Sequence, residues 1–235
     1  MAGERELVKL SSGCSLETKL YSPEIPTSQG STGLAILLHP WSWLGGRMED
    51  QVLVFLSDIL LHECGYHVLL FNSRGTGKSS GWPSFTGLTE GKDLEELVQW
   101  GLGAVPDVKS VVLIGYSHGA LITSLHPVLP APIKTSHLLL SYPLGPRSFL
   151  TLFRGGTYID RLNTLINDPQ SNVLIVHGDQ DEFTSAEAYE GWVTELRRNE
   201  GEFRVELIQG ATHFWFSRSG QRLRDIVKGW VPDLV

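Results

Sequence analysis

The run Val111-Val112-Leu113-Ile114, followed by Gly115-Tyr116-Ser117-His118-Gly119, constrains this chain more than any other stretch. An unbroken aliphatic run of this length fits a strand buried on both faces, as strands of parallel sheets are. A serine with glycines two positions away on each side, at the carboxyl end of such a strand, marks a sharp strand-to-helix turn. Backbone there is strained and crowded, so the flanking positions must be small. The bland reading is a glycine-rich turn with an incidental serine. Segments further along the chain decide between the two.

A serine hydroxyl is a weak nucleophile until a base removes its proton and a third group orients that base. Candidates for both follow later strand-like runs. Val173-Leu174-Ile175-Val176 empties into His177-Gly178-Asp179-Gln180-Asp181. The alternating Phe203-Arg204-Val205-Glu206-Leu207-Ile208 leads into Gly210-Ala211-Thr212-His213-Phe214. A serine, an acid and a histidine thus fall after three successive predicted strands, in that order.

With these motifs in place, the chain resembles the α/β-hydrolase superfamily from its first strands to its last helix. Members commonly read H-G-x-x-D around the acid and G-x-x-H-F around the base. The resemblance implies Ser117 as nucleophile, His213 as base and Asp181 as acid, with Asp179 as the runner-up two residues away. None of the other histidines follows a strand end in the right order; His62, His67, His126 and His137 read as surface or packing residues. Two backbone N–H groups should meet the oxyanion. One is that of His118, and the other should come from the loop after the strand Leu34 to Leu38, which reads His39-Pro40-Trp41-Ser42-Trp43-Leu44-Gly45-Gly46. Many members have H-G here. Proline has no N–H, so Trp41 is the candidate donor. H-P followed by G-G resembles a group of compact members with little or no cap.

Asn72-Ser73-Arg74-Gly75-Thr76-Gly77-Lys78-Ser79-Ser80-Gly81 is similar to the R-G-x-G-x-S-x-G loop after the fourth strand of the same group. Its Gly77-Lys78-Ser79 imitates the end of a phosphate-binding loop. The first glycine of that motif would fall at Asn72, and Trp82-Pro83 opposes an immediate helix, so nucleotide binding is disfavoured. Arg74 is expected to tie the loop to neighbouring backbone.

The 235 residues, 41% hydrophobic and 19% charged, fit one domain over 1–235. A net charge of −7 makes nucleic acid and anionic membrane surfaces poor partners. No apolar stretch approaches the roughly 20 residues needed to span a bilayer, and the start, with Glu4 and Glu6, does not read as a secretory signal. Cys14 and Cys64 alone make no disulfide framework and no metal spacing; they read as two buried thiols, with a cytoplasmic location as the expectation.

Strands alternating with helices predict an α/β fold. It has a mostly parallel central sheet, an N-terminal antiparallel hairpin and helices on both faces. Helices are expected near 49–63, 91–101, 184–199 and 217–230. The segment 145–171 is read as a short cap-like insertion whose Phe149, Leu150, Leu152 and Phe153 form an apolar face, leaving an open site. Trp41, Trp43, Trp82, Phe85, Phe214 and Trp215 sit in or beside the site loops. Trp43 and Phe214 are assigned to the substrate, in an apolar, partly aromatic acyl pocket.

The expected function is a serine hydrolase, carboxylesterase-like. It would cleave a small ester or related acyl compound through a Ser-His-Asp triad and an acyl-enzyme, with no cofactor and no metal. Thioesterase, lactonase and peptidase activities are not separated by sequence, nor is the oligomeric state fixed. A lyase or cyclase of the same fold, or a non-catalytic binding protein, are the alternatives. A binding role has no need of all three of Ser117, Asp181 and His213.

Overall fold

The computed structural model describes residues 3–24, 32–152, 154–197, 203–215 and 218–234. Phe153, most of the loop expected over 22–32 and the expected helix boundaries at Asn199 and Ser217 lie outside the described residues.

The described strands are β1 (Glu4–Lys9), β2 (Ser15–Tyr21), β3 (Thr32–Leu38), β4 (His67–Phe71), β5 (Val108–Tyr116), β6 (Lys134–Leu140), β7 (Ser171–Gly178) and β8 (Arg204–Ile208). They form one sheet in the order β1-β2-β4-β3-β5-β6-β7-β8. The hairpin β1–β2 joins β4 antiparallel, and every pairing from β4 to β8 is parallel. The helices are α1 (Gln51–His62), α2 (Leu88–Ala104), α3 (His118–Thr123), α4 (Arg147–Leu150), α5 (Gly155–Ile166), α6 (Ala186–Leu196) and α7 (Arg218–Trp230).

Side chains of a strand alternate between faces, so each aliphatic run feeds two cores. Leu37, Ile114, Leu140 and Val176 pack on one face beneath Leu53, Leu56 and Leu60 of α1 and Leu223 and Val227 of α7. Residues one step away along the strands face the other side, where Leu34, Ile36, Val111 and Leu113 meet Leu94, Leu97 and Val98 of α2. Further along that second face, Leu139, Val173 and Ile175 lie under Tyr158 and Leu162 of α5 and Tyr189 of α6.

Strand order sets where the site lies. The chain steps from β3 outward to β4 and then returns past β3 to β5, so the carboxyl ends of β3 and β5 are neighbours at a switch point, where ligands bind in open α/β sheets. Leu38 pairs with Gly115 there, which brings the loop after β3 against the turn after β5.

The segment 145–171 divides in two. Its α5 buries Tyr158, Leu162, Leu165 and Ile166 and serves as the crossover that a parallel β6–β7 connection requires. Among the described residues of the segment, the α4 end, with Pro146, Phe149 and Leu150, reaches the site.

Arg74 differs from expectation. Its guanidinium grips the Asp93 carboxylate of α2 through two bonds of 2.7 and 2.6 Å, because a planar fork matches a carboxylate better than it matches backbone. Glu17, buried on β2, accepts from Asn72 Nδ2 at 2.9 Å and from the Lys78 N–H at 2.8 Å, which shapes the loop that imitates a phosphate-binding motif. Both cysteines are free; Cys14 is buried, whereas Cys64, at the end of α1, is only partly so. Among the described residues no helix is long and apolar enough to cross a membrane.

Candidate active site

Ser117 caps α3 with φ 56° and ψ −118°, a positive-φ conformation rare for a residue with a side chain. Its N–H donates to the Leu140 carbonyl at 2.9 Å, so β6 holds the turn in place. The glycines are required by space. A Cβ on Gly115 would collide with the Gly119 carbonyl, and one on Gly119 would collide with the Leu38 carbonyl of β3.

The loops after β7 and β8 bring Asp181 and His213 to this turn. His213 Nε2 lies 3.0 Å from Ser117 Oγ, and His213 Nδ1 lies 2.8 Å from Asp181 Oδ2. A carboxylate only accepts, so Nδ1 carries the proton and Nε2 is free to accept from the serine. The second carboxylate oxygen, Asp181 Oδ1, accepts from the N–H groups of Phe183 at 2.9 Å and Thr184 at 3.1 Å. Burial works to raise the Asp181 carboxyl, but the His213 contact and these two N–H groups outweigh it and hold it below the usual carboxylate range. Asp179 points elsewhere and accepts from the Gly210 N–H at 2.6 Å.

Three residues that the sequence reading did not single out hold His213, two through its backbone N–H and carbonyl and one against its ring. The Glu182 carboxylate accepts from the His213 N–H at 2.9 Å, and the Tyr116 hydroxyl donates to the His213 carbonyl at 2.8 Å. The Phe183 ring stands edge-on to the imidazole with centroids 4.6 Å apart. Glu182 and Phe183 directly follow Asp181, yet nothing in a local pattern tells which neighbour of an acid will face a histidine 30 or so residues on.

A cavity of about 410 Å³ opens over Ser117 and His213. Trp41, Pro143, Phe149, Leu150, Phe183 and Phe214 wall it, and Asp50 adds a carboxylate to its lining. Phe214, assigned to the substrate from the sequence, is one of these walls. Trp43 is not: the short 3-10 turn Ser42–Leu44 turns its ring outward, 64% exposed, onto the outer side of Trp41 at 6.3 Å, and Leu44 lines the cavity instead. Trp82 and Phe85 are exposed and absent from the lining, while Trp215 is buried and donates from Nε1 to Ser141 Oγ at 3.0 Å. The N–H of His118 lies in the first turn of α3, where helices leave donors unpaired. Trp41 borders the same cavity at the end of β3. Burial, reinforced by nearby His39, lowers the His118 imidazole to about 4, so that side chain is neutral at ordinary pH.

A family model described as X-Pro dipeptidyl-peptidase (S15 family) matches residues 12–133, more than half of the chain. The chain belongs to the S15 family. The matched part of this S15 chain contains Trp41 and Ser117 and ends before Asp181 and His213. An uncharacterized protein of Rickettsia prowazekii is 28% identical over 199 residues, covering 84% of this chain and 75% of its own. A solved structure from Xanthomonas campestris, described as an α/β serine hydrolase without lid, is 25% identical with a TM-score of 0.75, covering 99% of this chain and 96% of that one. Est1E from Butyrivibrio proteoclasticus, solved with ferulic acid bound, shares the fold at 20% identity and a TM-score of 0.73, covering 95% and 96%. The S15 chain is thus an α/β hydrolase by fold as well as by sequence.

Proposed function

We propose that this protein hydrolyses neutral esters with apolar, partly aromatic acyl groups through an acyl-enzyme on Ser117. The observation that carries the reading is the continuous relay from Ser117 Oγ through His213 to Asp181 at the floor of an apolar cavity. His213 takes the serine proton as Oγ attacks the carbonyl, and Asp181 holds the imidazole tautomer and stabilises the imidazolium. The N–H groups of His118 and Trp41 stabilise the oxyanion. Collapse expels the alcohol, protonated by His213, and water then attacks the acyl-enzyme with His213 again as base.

The lining favours uncharged acyl groups, because its carboxylate, Asp50, repels anions and its walls are aromatic and aliphatic. The ferulic acid bound by Est1E, a relative by fold, is consistent with an aromatic acyl group. A second reading, peptide hydrolysis, draws on the family model and on Asp50, whose carboxylate suits a substrate ammonium.

Labelling with a fluorophosphonate, followed by mass spectrometry, tests the chemistry. The adduct is expected on Ser117, and Ser117→Ala should lose both labelling and turnover. Labelling that persists in Ser117→Ala would reject Ser117 as nucleophile. Rates on p-nitrophenyl esters against an X-Pro p-nitroanilide then separate the two substrate classes. An acyl adduct that water does not release would favour the lyase or cyclase alternative.

A further inference from the structure

His39 is 4% exposed and takes no part in the relay. Both its ring nitrogens are engaged. Nδ1 lies 2.7 Å from the Pro40 carbonyl, which only accepts, and Nε2 receives the Ser73 N–H at 3.0 Å. These partners select one neutral tautomer, with the proton on Nδ1. Burial favours the same state and lowers the imidazole to about 4.

The Pro40 carbonyl belongs to the same peptide unit as the Trp41 N–H. That unit is trans, so its C=O and N–H point in opposite directions. His39 borders a small void together with Trp41, Ser42, Ser73 and His118, so Trp41 touches both this void and the main cavity. His39 does not border the main cavity, which Pro40, Trp41 and Ser117 line. A carbonyl held by His39 therefore leaves the Trp41 N–H pointing away from His39. The other side of Trp41 is pinned too, since its carbonyl accepts from the N–H groups of Leu44 at 3.0 Å and Gly46 at 3.1 Å.

We propose that His39 is a positioning residue that aims the Trp41 N–H at the oxyanion, with the Ser73 N–H selecting its tautomer. This rests on the hydrolytic role of Ser117 proposed above. The loop after β4 thereby supports the loop after β3 through one imidazole.

Two amide substitutions separate the bonds. Asn at 39 can offer a donor near the Nδ1 position, whereas Gln offers an acceptor near Nε2. His39→Gln should lower kcat on a p-nitrophenyl ester by about 10- to 100-fold with little change in KM, as loss of an aligned donor does. His39→Asn should recover most of that loss. Inhibition by a trifluoromethyl ketone, which forms an oxyanion on the serine, should weaken in His39→Gln in parallel with kcat. Equal kcat losses in the two variants, or losses that follow their melting temperatures while ketone inhibition is unchanged, would overturn the positioning role. A wild-type protein that turns over no ester overturns the proposed function itself, and this inference with it.

Discussion

Trp41 makes two separable contributions: its N–H belongs to the proposed oxyanion site, and its ring forms a wall against Phe149, with centroids 5.7 Å apart. Its φ of −58° already suits proline, so Trp41→Pro removes the N–H with little backbone cost. We expect kcat to fall by about 10²–10³ in Trp41→Pro. Trp41→Ala keeps the N–H and should mainly raise KM for apolar acyl groups. Steady-state kinetics on one ester series checks both, and equal damage from the two variants would assign the effect to the side chain. At this scale Ser117, Asp181 and His213 were legible because each ends a strand within a recognisable motif. Asp50 and Tyr116 were not, since reaching the cavity depends on which face of the turn after β3 or the end of β5 looks inward.

Between elements, the Arg74–Asp93 pair joins the loop after β4 to α2. Both side chains are largely buried. Arg74→Ala would leave the Asp93 carboxylate without its cation, at a cost of about 3–5 kcal/mol. Urea denaturation should show this loss, and adding Asp93→Asn should return part of it by removing the stranded charge. An unchanged midpoint in Arg74→Ala would show that the pair is dispensable. The sequence located the loop but not its partner, because an arginine can reach any acceptor within its length and Asp93 lies on a helix 19 residues further on. The elements themselves were mostly legible. The exception was α5, read as part of a cap; its apolar spacing is equally that of a crossover helix, and only packing against β7 distinguishes them.

Across the whole molecule, buried histidines link stability to pH. Burial is the leading cause that lowers His39, His118 and His126 to about 4 and His137 to about 3. An unfolded chain would protonate them near an ordinary value of about 6.5. Below that pH the unfolded state binds more protons than the folded one, so stability falls on acidification until the folded-state values are reached. The slope should approach about 1.4 kcal/mol per pH unit for each histidine engaged. Urea midpoints should therefore hold steady above about pH 7 and drop between about pH 6 and 4. A flat profile through that window would count against the buried neutral state. The depressed Asp181 carboxyl adds its loss lower, as pH falls through the carboxylate range.

The sequence by itself determined the elements, their order and the candidate residues of the site, because aliphatic periodicity and strand-end motifs are local properties of a chain. The tertiary structure alone decided that Ser117 and His213, 96 residues apart, lie 3.0 Å from each other. It also decided that His39 Nδ1 meets the Pro40 carbonyl at 2.7 Å and that Trp43 faces outward while Trp41 lines the cavity. Those outcomes follow from sheet register and loop packing. Both are set by contacts summed over the whole fold, which no short stretch of sequence contains.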